Sequence, residues 1–450
     1  MIRMSLNQAA DLLNCTPAQS DLTFTGITTD SRKIVPGMLF AALPGETFNG
    51  HDYIQQAMEN GAVAALVSQN VSTSLTVLQV TDVLTALGTL AGHWRRECTA
   101  KVIGITGSNG KTTVKEMVAS ILRQEGSVLA TKGNFNNELG LPLTVFRLSK
   151  SHDFAVLEMG ASNPGDIAYL ADIAKPDIGV ITNIGPAHLK GFIDIQGVAR
   201  AKGEMFAALS KDGTAIINAA EPWVDLWLKT NGAGRVCYFN GEGENSVRVR
   251  HVADNVVVST PVGEFSLQLP LPGLHNLTNA MAATSVCLAL DVPLDRIKAG
   301  LEAVKPVPGR LSLKRTASGW TVIDDTYNAN PASLYAALKV LASENGEPWL
   351  VMGDMKELGS DSRKMHAELG EAARSLGVKR IFAVGDASTA TVDAFGEKAI
   401  HFNSRDGLIE ALRAELRPGV ACLVKGSRSM GMEHVVNAIS NGYEHSEVNC

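Results

Sequence analysis

The segment Gly104-Ile-Thr-Gly-Ser-Asn-Gly-Lys-Thr-Thr113 decides the reading of this chain. An apolar, β-rich run at 101–106 leads into Gly107-Ser-Asn-Gly-Lys-Thr112. An amphipathic helix follows, with Val114, Met117, Val118, Ile121 and Leu122 on one face and Gly126 beyond its end. Strand, glycine turn and helix in that order form a cradle for nucleotide phosphates. Glycines let the backbone wrap close to phosphate oxygens, and the new helix aims N–H groups and a partial positive charge at them. Gly107, Ser108, Asn109, Gly110 and Thr113 then belong to the ATP cradle, Lys111 meets the β- and γ-phosphates, and Thr112 holds Mg²⁺. The alternative is a Gly/Asn turn before an ordinary helix. The spacing departs from the common loop, G-x-x-x-x-G-K-[ST]: two residues separate Gly107 from Gly110, and Gly104 is out of place.

At 450 residues the chain has room for about three domains, and 45% hydrophobic content supports real cores. A net charge of −6 gives no electrostatic reason to expect nucleic acid or an anionic membrane as partner. The cysteines at 15, 98, 237, 287, 422 and 450 lack C-x-x-C or Cys/His metal spacing, so reduced thiols in a cytoplasmic protein are expected. Met1-Ile-Arg-Met-Ser5 passes into a polar helix start, without a signal-peptide core. Stretches 62–81 and 265–290 lack Asp, Glu, Lys and Arg, but polar residues and Pro272-Gly273 break them, so no membrane insertion is expected.

Three α/β blocks are expected, at 1–83, 84–312 and 313–450. The first mixes strands at 24–29, 38–43, 62–67 and 76–80 with a helix near 53–59; a joining helix spans 82–97. The second alternates strands at 153–157, 177–182 and 214–218 with helices, implying a largely parallel sheet. Short alternating runs between 236 and 269 read as a small antiparallel addition, and a helix at 276–290 completes the block. The third alternates strands at 321–323, 349–352, 380–384, 399–402 and 421–424 with helices, one of them capped by Asn330 and started by Pro331.

Several residues carry chemistry. Glu158 ends an apolar strand; beside a phosphate loop, strand C-termini face the nucleotide, making it a candidate Mg²⁺ ligand rather than a solvated glutamate. His188 follows the next strand and is either a second metal ligand or a satisfied loop histidine. Lys202 shares a helical face with Val198, Met205, Phe206 and Leu209. Its stem snorkels outward, or desolvation lowers its pKa and the amine has a job. Asp324-Asp325-Thr-Tyr-Asn-Ala-Asn330 suits ribose or metal recognition, or is a turn and helix cap. Lys425-Gly-Ser-Arg-Ser429 reads as an anion-binding corner or as a plain Gly/Ser loop.

Taken together, these segments resemble the Mur ligase family, ATP-dependent amide ligases of bacterial cell-wall precursor synthesis. Thr106-Gly-Ser-Asn-Gly-Lys-Thr112 is similar to that family's own shortened loop. The resemblance runs almost end to end, through Thr29-Asp-Ser-Arg32, Pro36-Gly-Met-Leu-Phe40, Gly50-His-Asp52, Gly61-Ala62, Gly133-Asn-Phe-Asn-Asn137, Leu141-Pro142, Leu274-His-Asn-Leu-Thr-Asn279 and Gly309-Arg310. Asp325-Thr-Tyr-Asn-Ala-Asn-Pro331, Met352-Gly-Asp-Met-Lys-Glu-Leu-Gly359 and Gly426-Ser-Arg-Ser-Met430 resemble the members that add D-alanyl-D-alanine to a UDP-N-acetylmuramoyl-tripeptide. The Asn-Pro-Arg signature of the ligases that add the third residue is not found.

The resemblance implies a small mixed α/β N-terminal domain, a central P-loop ATPase domain with a parallel sheet, and a C-terminal Rossmann-like domain. It implies small-molecule substrates, ATP and Mg²⁺ as cofactors, and a monomer. Lys111, Glu158, His188, Lys202 and Arg310 would be catalytic. Thr112, Glu158, His188 and a carbamylated Lys202 would serve metal. Asn276 would contact adenine, Arg310 the γ-phosphate and Asp325 the adenosine side. Ser31, Arg32, Thr47, Asn134 and Asn137 would bind the UDP substrate, and Tyr327, Asn328, Ser427 and Arg428 the dipeptide. A ligase adding a single amino acid to the wall precursor or to folate, and a non-catalytic nucleotide switch, stay open as alternatives; substrate-dependent phosphate release separates all of them.

Overall fold

The computed structural model describes residues 1–16, 21–45, 47–186, 189–252 and 255–440. Among them three α/β domains follow one another. In the N-terminal domain a four-stranded parallel sheet runs Ile27–Thr28, Leu39–Ala41, Ala64–Val67, Thr76–Gln79, and a two-stranded antiparallel sheet pairs Arg3–Ser5 with Thr23–Thr25. The single strand expected at 24–29 is two, because Gly26 at φ +101° breaks it and sends the halves to different sheets. Asp82 caps the helix Val83–Arg96 by accepting from Thr85 N–H at 2.6 Å. That helix belongs to one continuous core with Ile2, Phe24 and Leu66 on one side and Phe146, Leu157 and Phe206 on the other.

The central domain is built on nine strands. In spatial order they are Gly263–Leu267, Asn255–Thr260, Ser246–Val252, Arg235–Phe239, Thr214–Asn218, Ile178–Ile181, Lys101–Thr106, Phe154–Glu158 and Val128–Ala130. Side chains alternate across the sheet. Ile103, Ile105 and Val180 pack under the helices Lys111–Leu122, Leu274–Ala289 and Leu294–Glu302. Val102, Leu157 and Ile181 pack under Val83–Arg96, Asp166–Ala174 and Ile195–Ala207. The addition expected as antiparallel is only partly so: Arg235–Phe239 runs parallel to its neighbour, and Ser246–Val252 starts parallel to it, at Tyr238↔Ser246. Alternation marks a strand but not its direction. Here Asn240 at φ +58° and the Gly241 N–H donated to Ser246 Oγ loop the chain round before it pairs. The hairpin beyond is antiparallel.

The C-terminal sheet runs Ser312–Arg315, Thr321–Asp325, Val420–Lys425, Glu347–Gly353, Arg380–Val384, Ala399–Phe402, parallel except for its first edge strand. Helices cover both faces, leaving Leu423 in one core and Cys422 in the other. No helix among the described residues is long and apolar enough to cross a membrane.

One close approach positions the site. Gly104 and Gly179 are partners across adjacent parallel strands. A Cβ on Gly104 would lie 3.0 Å from Met205 Sδ, and one on Gly179 2.9 Å from Met205 Cγ. Gly104, out of place for a phosphate loop, thus lets the helix Ile195–Ala207, which carries Lys202, sit down on the sheet. Trp227 holds the same helix from outside, donating Nε1–H to Ala199 O at 2.9 Å and meeting Phe206 edge-on at 5.7 Å. Gly179→Val should lower unfolding free energy by about 1–3 kcal/mol through overpacking. Urea denaturation measures it, and a wild-type midpoint would show that the approach tolerates a larger side chain.

Candidate active site

Parallel pairing brings three strand ends together. Lys101–Thr106 has Ile178–Ile181 on one side, at Thr106↔Ile181, and Phe154–Glu158 on the other, at Ile105↔Glu158. The chain leaves the first strand through Gly107 (φ +146°) and Gly110 (φ +81°). At Gly110 a Cβ would lie 2.4 Å from Asn279 Oδ1. The neighbouring strand's extension clamps this loop. Ser108 N–H donates to Asn183 O (2.9 Å), Asn109 N–H to Asn183 Oδ1 (2.9 Å), and Asn109 O accepts from Thr182 Oγ1 (2.6 Å) and Asn183 Nδ2 (3.0 Å). Ser108 Oγ accepts from Gly185 N–H at 2.9 Å and lies 3.1 Å from its carbonyl. The loop is therefore preorganised before any ligand arrives.

On the opposite side Glu158 is buried, 2% exposed. Its carboxylate accepts from Thr112 Oγ1 at 2.7 Å and from Asn136 Nδ2 at 2.8 Å. Its N–H donates to Thr131 Oγ1, and the buried Lys115 Nζ donates to Thr131 O at 2.6 Å. Both partners on the carboxylate are neutral, and Glu158 lines the cavity. A hydroxyl beside a carboxylate whose direct hydrogen-bond partners are neutral is a donor set that fits Mg²⁺, which takes few protein ligands and keeps waters. Among the described residues no three His, Cys, Asp or Glu side chains converge. His188 lies outside the described residues.

Lys111 Nζ donates to Gly107 O at 2.8 Å, and burial lowers its pKa, opposed by Glu158. Lys202 is 2% exposed, and no hydrogen bond or ion pair takes its amine among the described residues. Burial, helped by the Lys111 charge, brings its pKa down to about 7. The amine is thus poised to be neutral near physiological pH while it borders the cavity.

The cavity, about 980 Å³, lies between the central and C-terminal domains and is lined by Gly107–Lys111, Thr113, Glu158, Lys202, Asn276, Arg310 and Asp325. Arg310 stacks its guanidinium 4.0 Å above the Tyr327 ring, and its buried Nε has no hydrogen-bond partner among the described residues. Asp325 accepts from Leu311 N–H at 3.2 Å and pairs with the buried Lys425, which also donates to Asn328 O at 2.9 Å. Lys425, which also borders the cavity, is thus paired with Asp325. Asn276 is buried, with Nδ2 on Pro272 O and Oδ1 accepting from Asn279. Asn134, Asn137, Tyr327, Asn328 and Arg428 also line the cavity. Ser427 is buried beside it, its Oγ accepting from Lys356 N–H at 2.8 Å. Ser31, Arg32 and Thr47 stand apart in the N-terminal domain: Ser31 donates to Gln56 Oε1, Arg32 pairs with Asp30, and Thr47 is exposed. Sequence reasoning missed Asn136, Asn183 and Lys115. Asn136 lay inside a quoted motif, whereas the roles of Asn183 and Lys115 depend on contacts that sequence spacing does not encode.

Three family models match the chain: the Mur ligase family catalytic domain over residues 23–95, the Mur ligase middle domain over 105–287, and the Mur ligase glutamate ligase domain over 309–428. The UDP-N-acetylmuramoyl-tripeptide–D-alanyl-D-alanine ligase of Escherichia coli is 42% identical, covering 98% of this chain and 99% of the relative. The chain belongs to the Mur ligase family. Among solved structures, MurF from Acinetobacter baumannii superposes with a TM-score of 0.91 at 34% identity, over 98% of this chain and 99% of that one. The MurF ligase of Thermotoga maritima in complex with ADP gives 0.83 at 28% identity, over 92% and 97%. For this Mur ligase, the fold around the phosphate loop is shared with those structures.

The Lys202 pKa has a stability consequence whose sign is fixed. In the unfolded chain the amine keeps its proton to about 10.5, and in the fold only to about 7, so unfolding takes up a proton between those values. In CO₂-free buffer, the stability of the wild type relative to Lys202→Met should rise from pH 7 towards pH 10. A difference that stays flat with pH would mean that the amine titrates normally.

Proposed function

We propose that this chain is an ATP-dependent ligase joining D-alanyl-D-alanine to UDP-N-acetylmuramoyl-tripeptide, yielding the UDP-linked pentapeptide, ADP and phosphate. The observation that carries the reading is the convergence of the phosphate loop, the Thr112–Glu158 pair, Lys202 and Arg310 on one interdomain cavity, in a chain 42% identical to a ligase of that name over nearly its full length. The tripeptide's terminal carboxylate attacks the ATP γ-phosphorus, ADP leaves, and an acyl phosphate forms. The dipeptide amine then attacks the acyl carbon, loses a proton, and the tetrahedral intermediate expels phosphate as the amide forms.

Lys111 and Arg310 offset charge on the transferring phosphoryl group. Mg²⁺, when bound, would neutralise phosphate charge, and Thr112 and Glu158 would hold it, with Asn136 orienting Glu158 and His188 serving a second ion. Lys202 would carry a carbamate: its neutral Nζ bonds the carbon of CO₂ and releases a proton, turning a buried amine into a carboxylate. The roles proposed for Asn276 and Asp325 are on the adenosine side. Ser31, Arg32, Thr47, Asn134 and Asn137 are assigned to the UDP substrate, and Tyr327, Asn328, Ser427 and Arg428 to the dipeptide. Domain limits at 1–83, 84–312 and 313–450 would give each substrate its own wall, and closure keeps water from the acyl phosphate. The enzyme would act as a cytoplasmic monomer.

Two measurements test this. Mass spectrometry of the product made from Mg·ATP, the tripeptide substrate and the dipeptide should show the UDP-pentapeptide; a product carrying one added residue would move the substrate assignment. Lys202→Ala should lower turnover roughly a hundredfold or more, unrescued by bicarbonate, and lose the carbamate carbon signal that ¹³C-bicarbonate gives the wild type. Wild-type turnover by that variant would refute the carbamate.

A further inference from the structure

Asn109 stands at the crown of the phosphate loop with its main chain held by Thr182 and Asn183. Its side chain reaches the C-terminal domain, where Oδ1 accepts from Asn330 Nδ2 at 2.8 Å across 221 residues of sequence. Asn330 is already committed on its other side. It caps the helix Pro331–Ser343, its Oδ1 accepting from Ser333 N–H at 2.9 Å while its N–H donates to Ser333 Oγ at 3.0 Å. With the amide oxygen fixed on the helix, the amide nitrogen is turned towards the loop. The same turn holds the interdomain linker: Tyr327 N–H donates to Gly309 O at 3.0 Å, and the Tyr327 ring lies under Arg310. Leu311 N–H, one residue on, donates to Asp325. Arg310 is thus fastened to the C-terminal domain, and where that domain sits decides where the guanidinium points.

We infer that Asn109 and Asn330 form an interdomain latch that seats the C-terminal domain, and with it Arg310, against the phosphate loop. Both are positioning residues for phosphoryl transfer; the inference rests on the ligase reading. One neutral hydrogen bond contributes little net free energy, which suits a contact that opens and re-forms with each closure. One partner lies in the loop that wraps phosphate, so the contact joins that loop directly to the C-terminal domain.

Two variants break the latch from opposite sides. Asn330→Ser keeps a good helix cap but removes the amide donor and is too short to span the gap. Asn109→Ala leaves the cap untouched. Small-angle X-ray scattering of the ligand-free proteins should show a larger radius of gyration for both variants than for the wild type. Either single variant should lower kcat/KM about five-fold, with nucleotide affinity of Asn330→Ser, measured by equilibrium binding, within two-fold of wild type. The double variant should be no worse than the worse single one. Wild-type scattering from both variants would overturn the latch, as would losses that multiply in the double variant. If the chain proved not to ligate these substrates, the scattering would still decide for or against the latch.

Discussion

Everything at the site depends on the parallel register around Lys101–Thr106. Its two neighbours end beside it, one supplying the Thr182–Asn183 clamp and the other Glu158. The connection after this strand runs to Val128–Ala130 at one edge of the sheet, whereas that after Ile178–Ile181 runs to Thr214–Asn218 on the other side, which opens the crevice that α/β folds use for ligands. A phosphate loop alone would be a mobile glycine turn. Clamped by a neighbouring strand and faced by a buried carboxylate, it becomes a preformed receptor for a charged group.

The second constraint is the seating of the Lys202 helix. Paired glycines at 104 and 179 let Met205 approach the sheet, and the helix carries Lys202 into a place where no anion among the described residues pairs with it. Burying an uncompensated ammonium is unfavourable, so the fold pushes that lysine towards neutrality. A neutral amine beside a magnesium-type donor pair is chemically useful only if something converts it or accepts from it. The carbamate we propose would do so, by supplying an anion in the cavity that Glu158 also lines.

Much of this was legible in the sequence because local rules and tertiary structure agree. The phosphate loop, the helix after it, the cap at Asn330 and the strand ending at Glu158 each follow from turn chemistry and apolar periodicity. Lys202 was conspicuous as a charge on an apolar face. What escaped depends on contacts distant in sequence. Asn183 and Lys115 matter through the atoms they hold, Lys425 pairs with Asp325, and Tyr327 lies under Arg310. Strand direction near 235–252 was also hidden, since alternating side chains look the same whichever way the strand pairs.

The central claim is that phosphate release is coupled to the dipeptide. Phosphate should be measured in the presence of Mg·ATP and UDP-N-acetylmuramoyl-tripeptide, with D-alanyl-D-alanine, with single amino acids, and with neither. Release that requires the dipeptide is the predicted result. Release driven equally well by a single amino acid, or none in any combination, would contradict it.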